Sequence, residues 1–178
     1  MKSLTIIQKT FHVFQILSKV LMTLSFVAAG LALLGVTCAQ VWRNGGTVVG
    51  ADFEAMLSLT NTAGLDQMIA ELLADTVFAL TDGVLFLFAF LYFKSEQTDG
   101  TPFTQNGAKR IRNLGIKSIV LPIVAAIISA VIYGCFGLTR SEDWNNAGFI
   151  LLGIMLILVS LVFRYGAELE ENVKESAE

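Results

Sequence analysis

Four long, nearly uncharged apolar stretches, about Val13 to Ala39, Thr76 to Phe93, Gly115 to Leu138 and Ala147 to Phe163, constrain this chain more than any other feature. A bilayer hydrocarbon core about 30 Å thick needs roughly 20 helical residues per crossing, so these stretches read as membrane spans. Inside hydrocarbon the backbone must satisfy its own N–H and C=O groups, which a helix does within one segment. Composition agrees: 54% of the 178 residues are hydrophobic and only 15% are charged, where soluble domains average about a quarter charged. The expected fold is therefore all-α, an integral membrane four-helix bundle forming one transmembrane domain over residues 1–178. The connecting segments, an outer loop 40–75, an inner loop 94–114 and a tail 164–178, are too short to bury a globular core of their own.

Charge sets the expected orientation. The amino terminus carries Lys2 and Lys9, with Lys19 just inside the first span. The following loop reverses the sign, with Arg43 against Asp52, Glu54, Asp66, Glu71 and Asp75. After the second span the balance returns to basic, with Lys94, Lys109, Arg110, Arg112 and Lys117 against Glu96 and Asp99, and the third connection sets Arg140 against Glu142 and Asp143. Lysine and arginine in short loops mark the cytoplasmic side, so both termini and the middle loop are expected inside. The acidic tail does not change this, because acids contribute little to that bias. Trp42 and Trp144 then fall at the outer interface, and Tyr92 and Tyr165 at the inner one, the depth that amphipathic rings favour. The first stretch is expected to be an anchor and not a cleaved leader, because it is longer than a leader core and Thr37 is bulky for a cleavage position.

Local patterns add detail. Leu65, Met68, Ile69, Leu72 and Leu73 share one helical face, predicting an amphipathic outer-loop helix that runs into the second span, with Asn61 or Thr62 as its cap. That helix could be a lid for an external signal or a helix lying on the bundle rim, and the rim is favoured. Gly100 and Pro102 break the chain, and a helix is expected from near Thr104 through Lys109, Arg110 and Arg112 into the third span, with a slight kink at Pro122. Ala126, Ala130 and Gly134 recur every four residues, a strip expected to be a packing seam within the bundle, with a homodimer seam as the alternative.

The chemistry-bearing residues are few. Asp82 is the one acid well inside a span; it is a candidate for proton or cation handling, weighed against a structural hydrogen bond about two turns from the helix end. Cys38 and Cys135 share a depth and form a candidate disulfide, against the alternative of two free thiols. No metal-ligand spacing, phosphate-binding glycine loop or partnered nucleophile occurs, so no catalytic residue, cofactor or metal is expected.

Two segments carry a family resemblance: Pro102-Phe103-Thr104 followed by Lys109-Arg110-Ile111-Arg112-Asn113-Leu114-Gly115, and Phe163-Arg164-Tyr165-Gly166-Ala167-Glu168-Leu169-Glu170-Glu171. The chain resembles the bacterial four-span membrane proteins grouped as domain of unknown function 2975. In that family the first motif usually reads PFTEEN, where this chain has Gln105 and Gly107, and the tail usually runs into Asp-Leu-Thr-Val, from which Asn172 to Glu178 departs. Members are often encoded beside a small helix-turn-helix regulator. The resemblance thus implies a bacterial inner-membrane protein, not an enzyme, that modulates or sequesters such a regulator in the cytoplasm. The partner-binding candidates are Phe103, Lys109, Arg110, Arg112, Arg164, Tyr165 and Glu168. Internal pairing of the basic and acidic segments is the competing explanation. The alternative functions are a small transporter or channel subunit acting through Asp82 in a homo-oligomer, and an assembly subunit of a membrane complex. Direct nucleic-acid binding is not expected, since the basic face lies against lipid.

Overall fold

The computed structural model describes residues 2–48, 50, 52–60, 62, 64–99, 104–139 and 147–175. Among them every regular element is a helix: α1 (Lys2–Arg43), α2 (Phe53–Thr60), α3 (Leu65–Asp99), α4 (Gln105–Cys135) and α5 (Ala147–Glu175). Four are long and apolar enough to cross a membrane, over Lys9–Arg43, Leu65–Gln97, Gln105–Cys135 and Gly148–Leu169. Burial is inverted relative to a water-soluble protein. Leu31, Val131 and Val162 are 64%, 61% and 64% exposed, whereas Ser18, Ser118, Ser129 and Ser160 are buried together with many alanines. Lipid explains this: large aliphatic side chains gain nothing by leaving it, and small residues let helix backbones approach.

The helix ends follow from local chemistry. Thr104 caps α4, its side-chain oxygen accepting the Gly107 N–H at 2.9 Å and its carbonyl the Ala108 N–H at 3.0 Å. That start agrees with the sequence. At the other end Gly137 takes φ +66, its N–H reaches the Gly134 carbonyl, and the Leu138 N–H reaches the Tyr133 carbonyl at 3.0 Å. This is a left-handed glycine cap, closed by packing of Leu138 against Tyr133. It stops the helix at Cys135, short of the apolar stretch that runs on to Leu138. Helix α3 begins with the Gly64 carbonyl accepting the Met68 N–H at 2.9 Å. Gly64 therefore occupies the cap position, while the Thr62 hydroxyl pairs with that of Thr60. Asn61 lies outside the described residues. Helix α2 opens with Asp52 Oδ1 accepting the Glu54 N–H at 3.1 Å, inside a segment that reads from sequence as a Gly/Thr-rich loop.

The chain forms two compact units. One comprises Thr23–Gly83 and Ile123–Asp143. Its main cluster is Ala39, Met68, Ile69 and Leu72, with Val36, Trp42, Phe53 and Met56 packed around them. The predicted face of Leu65 to Leu73 is therefore buried by helix packing. Trp42 stands edge-on to Phe53 at 5.3 Å, inside this cluster. Trp144 lies outside the described residues, as do Arg140, Glu142 and Asp143. A second cluster holds Ala70, Ala74 and Tyr133, and the Tyr133 hydroxyl donates to Glu71 Oε2.

One expectation fails in this unit, and one candidate pairing is not formed. Ala126, Ala130 and Gly134 are all exposed, and nothing lies within 4 Å of a methyl built on Gly134. The buried face of α4 is instead Ala125, Ser129 and Tyr133, one residue earlier and so about 100° round the helix. Among the described residues of this unit the small strip is not a packing seam. The cysteines are not bridged either: both thiols are free, with Cys38 half-buried and Cys135 exposed. Cys135 follows Tyr133 by two residues, which turns it about 200° away from the packed face. Asp82 sits half-buried in α3 of this unit.

The other unit comprises Met1–Met22, Val84–Pro122 and Trp144–Glu178. Tyr92, Ile111 and Leu114 form its core, surrounded by Phe88, Ala89, Phe93, Leu156 and Phe163. Phe11 and Phe14 of α1 lie against Phe93, with ring centroids at 6.0 and 5.5 Å. Tyr92, expected at the lipid interface, is only 7% exposed and belongs to this core. Helices α4 and α5 meet backbone to backbone. A methyl built on Gly115 would lie 2.8 Å from the Gly153 carbonyl oxygen, and one on Gly153 would lie 2.7 Å from that of Gly115. Only glycine at both positions permits that approach.

Candidate functional site: two polar grooves in one unit

The Gly115–Gly153 contact brings α4 and α5 close together, and beside it the helices leave a groove of about 280 Å³. Gln105, Ala108, Lys109 and Arg112 line it from α4, at the spacing of one helical face. Ser160, Leu161, Arg164 and Glu168 line it from α5. Arg164 Nε donates to Glu168 Oε1 at 2.9 Å, an exposed pair one turn apart on the same helix. That bond holds the guanidinium along the groove wall, opposite the exposed Lys109 and Arg112. Among its described lining residues the groove thus offers three cations and one carboxylate, with Ala108 and Leu161 as the apolar members.

Of the seven partner-binding candidates, four converge here. Tyr165 is 64% exposed and points elsewhere, because it follows Arg164 by about 100° of turn. Phe103 lies outside the described residues. Arg110 departs from its neighbours Lys109 and Arg112: it turns to the opposite side of α4 and faces α3. The basic turn that looks like one patch in sequence is divided between two faces.

That second face borders another cavity of about 280 Å³, lined by Phe88, Leu91, Tyr92 and Ser95 of α3 and by Arg110, Asn113, Leu114 and Lys117 of α4. Both sets follow the same i, i+3, i+4, i+7 spacing, so two helical stripes face each other across it. Behind the cavity Glu96 is fully enclosed, with Arg110 Nη1 at 3.9 Å from its Oε1. The Lys117 ammonium rests 3.3 Å from the centroid of the Phe88 ring. A ring face attracts a cation most strongly where water is excluded. In the sequence Glu96 and Lys117 count only toward the charge balance of the inner segment, and Ser95, Asn113 and Phe88 are not marked as site residues. The matched spacing of the two stripes was the signal available.

Among the described residues no group of three or more His, Cys, Asp or Glu side chains is placed to hold a metal ion. Comparisons with protein-family models, with curated proteins and with solved structures all return no match.

Proposed function

We propose that this chain is a non-enzymatic multi-pass protein of the bacterial inner membrane, with both termini in the cytoplasm, that holds a cytoplasmic protein partner in the α4–α5 groove. One observation carries the proposal: Lys109 and Arg112 line the same cavity as Arg164 and Glu168, although the two segments are far apart in sequence. These are the two segments that resemble the four-span family. The groove's chemistry fits an acidic or amide-rich helix. Guanidinium and ammonium groups donate to carboxylates, Gln105 adds an uncharged amide, and Ala108 and Leu161 receive an apolar side chain. A small helix-turn-helix regulator held at the membrane in this way is kept from its DNA. The basic end of α4 then serves as the receptor, and the chain itself makes no contact with nucleic acid.

The test is crosslinking followed by mild-detergent purification and mass spectrometry, comparing the natural chain with a Lys109→Glu, Arg112→Glu variant. A soluble partner crosslinked to residues 105–112 or 160–168, and lost from a variant that still runs as a folded species, supports the proposal. Recovery of the same partner by both proteins overturns it. The transporter alternative rests on Asp82. Solute or ion flux in reconstituted vesicles that is abolished by Asp82→Asn would replace the receptor function with transport.

A further inference from the structure

The α3–α4 cavity has no part in that groove, and its residues have a distinct chemistry. We infer that it is a binding site for one phosphate group, that of an anionic phospholipid, with Arg110 and Lys117 as the charged contacts. The two cations stand seven residues apart on α4, about 10 Å of helix rise, and both side chains line the same cavity. Long side chains converging from that spacing can close on one tetrahedral anion from two sides.

Each cation is already positioned. The Glu96 carboxylate, completely enclosed on the far side of Arg110, holds the guanidinium against the wall. A separation of 3.9 Å is that of an ion pair and exceeds a hydrogen bond, so this contact does not consume a donor. Guanidinium has five N–H donors, enough for an anion in the cavity as well. Phe88 fixes the Lys117 ammonium in the same way, contributing attraction without a competing negative charge. Glu96 is not among the lining residues, so among the described residues the cavity wall carries two positive charges and no acid. Ser95 and Asn113 add neutral donors for phosphate or glycerol oxygens.

The surface beside the site points to an amphiphile. Leu91 borders the cavity at 48% exposure, and Ile116 and Val120 on α4 are 44% and 48% exposed. A polar pocket between apolar helices that opens beside bare aliphatic surface suits a headgroup whose chains lie along the protein. Free phosphate would use the same cations and ignore that surface.

The experiment is native mass spectrometry of the full chain in detergent with added phosphatidylglycerol or phosphatidylcholine, on the natural protein and on Lys117→Gln, Lys117→Arg and Lys94→Gln. Lys94 is an exposed lysine of α3 outside the cavity, so its replacement removes the same charge elsewhere. One phosphatidylglycerol should be retained in preference to phosphatidylcholine. Lys117→Gln should weaken retention about tenfold or more, as expected for loss of a charged hydrogen bond. Lys117→Arg should keep most of it and Lys94→Gln all of it. Equal retention of the two lipids, or equal loss in the Lys94 and Lys117 variants, overturns the inference. Displacement of the bound lipid by millimolar inorganic phosphate would assign the site to free phosphate and overturn the lipid assignment; resistance to it upholds the lipid. Helical circular dichroism on each variant separates loss of binding from loss of fold.

Discussion

Alanine at Gly115 measures how tightly α4 and α5 are joined. The new methyl carbon would sit 2.8 Å from the Gly153 carbonyl oxygen, 2.9 Å from Ile157 Cγ1 and 3.1 Å from the Ile157 nitrogen. Ile157 Cγ1 can rotate away, but the carbonyl and amide belong to a helix and cannot. Ordinary contact begins near 3.4 Å, so the crossing must open by about 0.6 Å, and overpacking of this kind costs about 1–3 kcal/mol. Alanine's better helix propensity returns up to about 1 kcal/mol. Gly134→Ala is the matched control, since its methyl meets nothing within 4 Å and only the propensity gain remains. Reversible unfolding in mixed detergent–dodecyl sulfate micelles, followed by helical circular dichroism, should place Gly115→Ala about 1–3 kcal/mol below Gly134→Ala. Gly153→Ala should match Gly115→Ala. The double variant should cost less than the sum, because one opening of the crossing relieves both clashes. Equal stability of the Gly115 and Gly134 variants would refute the backbone contact.

Two further predictions concern the unit that contains α2. Tyr133→Phe keeps the ring in its cluster and removes its donor to Glu71, so the same unfolding assay should show a loss of about 1.5–3 kcal/mol. Without reductant, a maleimide should add two labels per chain, Cys135 reacting before Cys38 because it is exposed; a chain that takes no label until reduced would show the bridge that the structure lacks.

The sequence made some of this legible and concealed the rest, for physical reasons. Four apolar helices follow from length and lipid alone. The start of α4 follows from Thr104 after the helix-breaking residues Gly100 and Pro102 in the sequence, and the buried face of Met68, Ile69 and Leu72 follows from its spacing. Helix–helix neighbours do not follow. Ala126, Ala130 and Gly134 have the spacing of a seam, but Ala125 and Ser129 one position earlier are small too, and lipid tolerates either face. The true close contact pairs Gly115 with Gly153, on different helices, and no single-helix pattern announces it. The basic turn showed its charge but not its division, because the register that sends Arg110 toward Glu96 and Lys109 toward Arg164 depends on where α3 and α5 stand. Helix α2 was hidden in a Gly- and Thr-rich segment, where Asp52 supplies its cap and contacts of Phe53 and Met56 hold it in place.

Helix α5 continues without a break from Ala147 to Glu175, through its apolar stretch and past Arg164 and Glu168. At 1.5 Å per residue its 29 residues measure about 43 Å, against about 30 Å of hydrocarbon. The α5 residues that line the groove therefore belong to one rod with the helix's apolar stretch, with no break between them. On the proposed function, a guest held there would be fixed in rotation relative to that stretch. The α5 wall would give up little disorder on receiving it, so affinity would be limited by the fit of the groove and not by the cost of taming a loose tail.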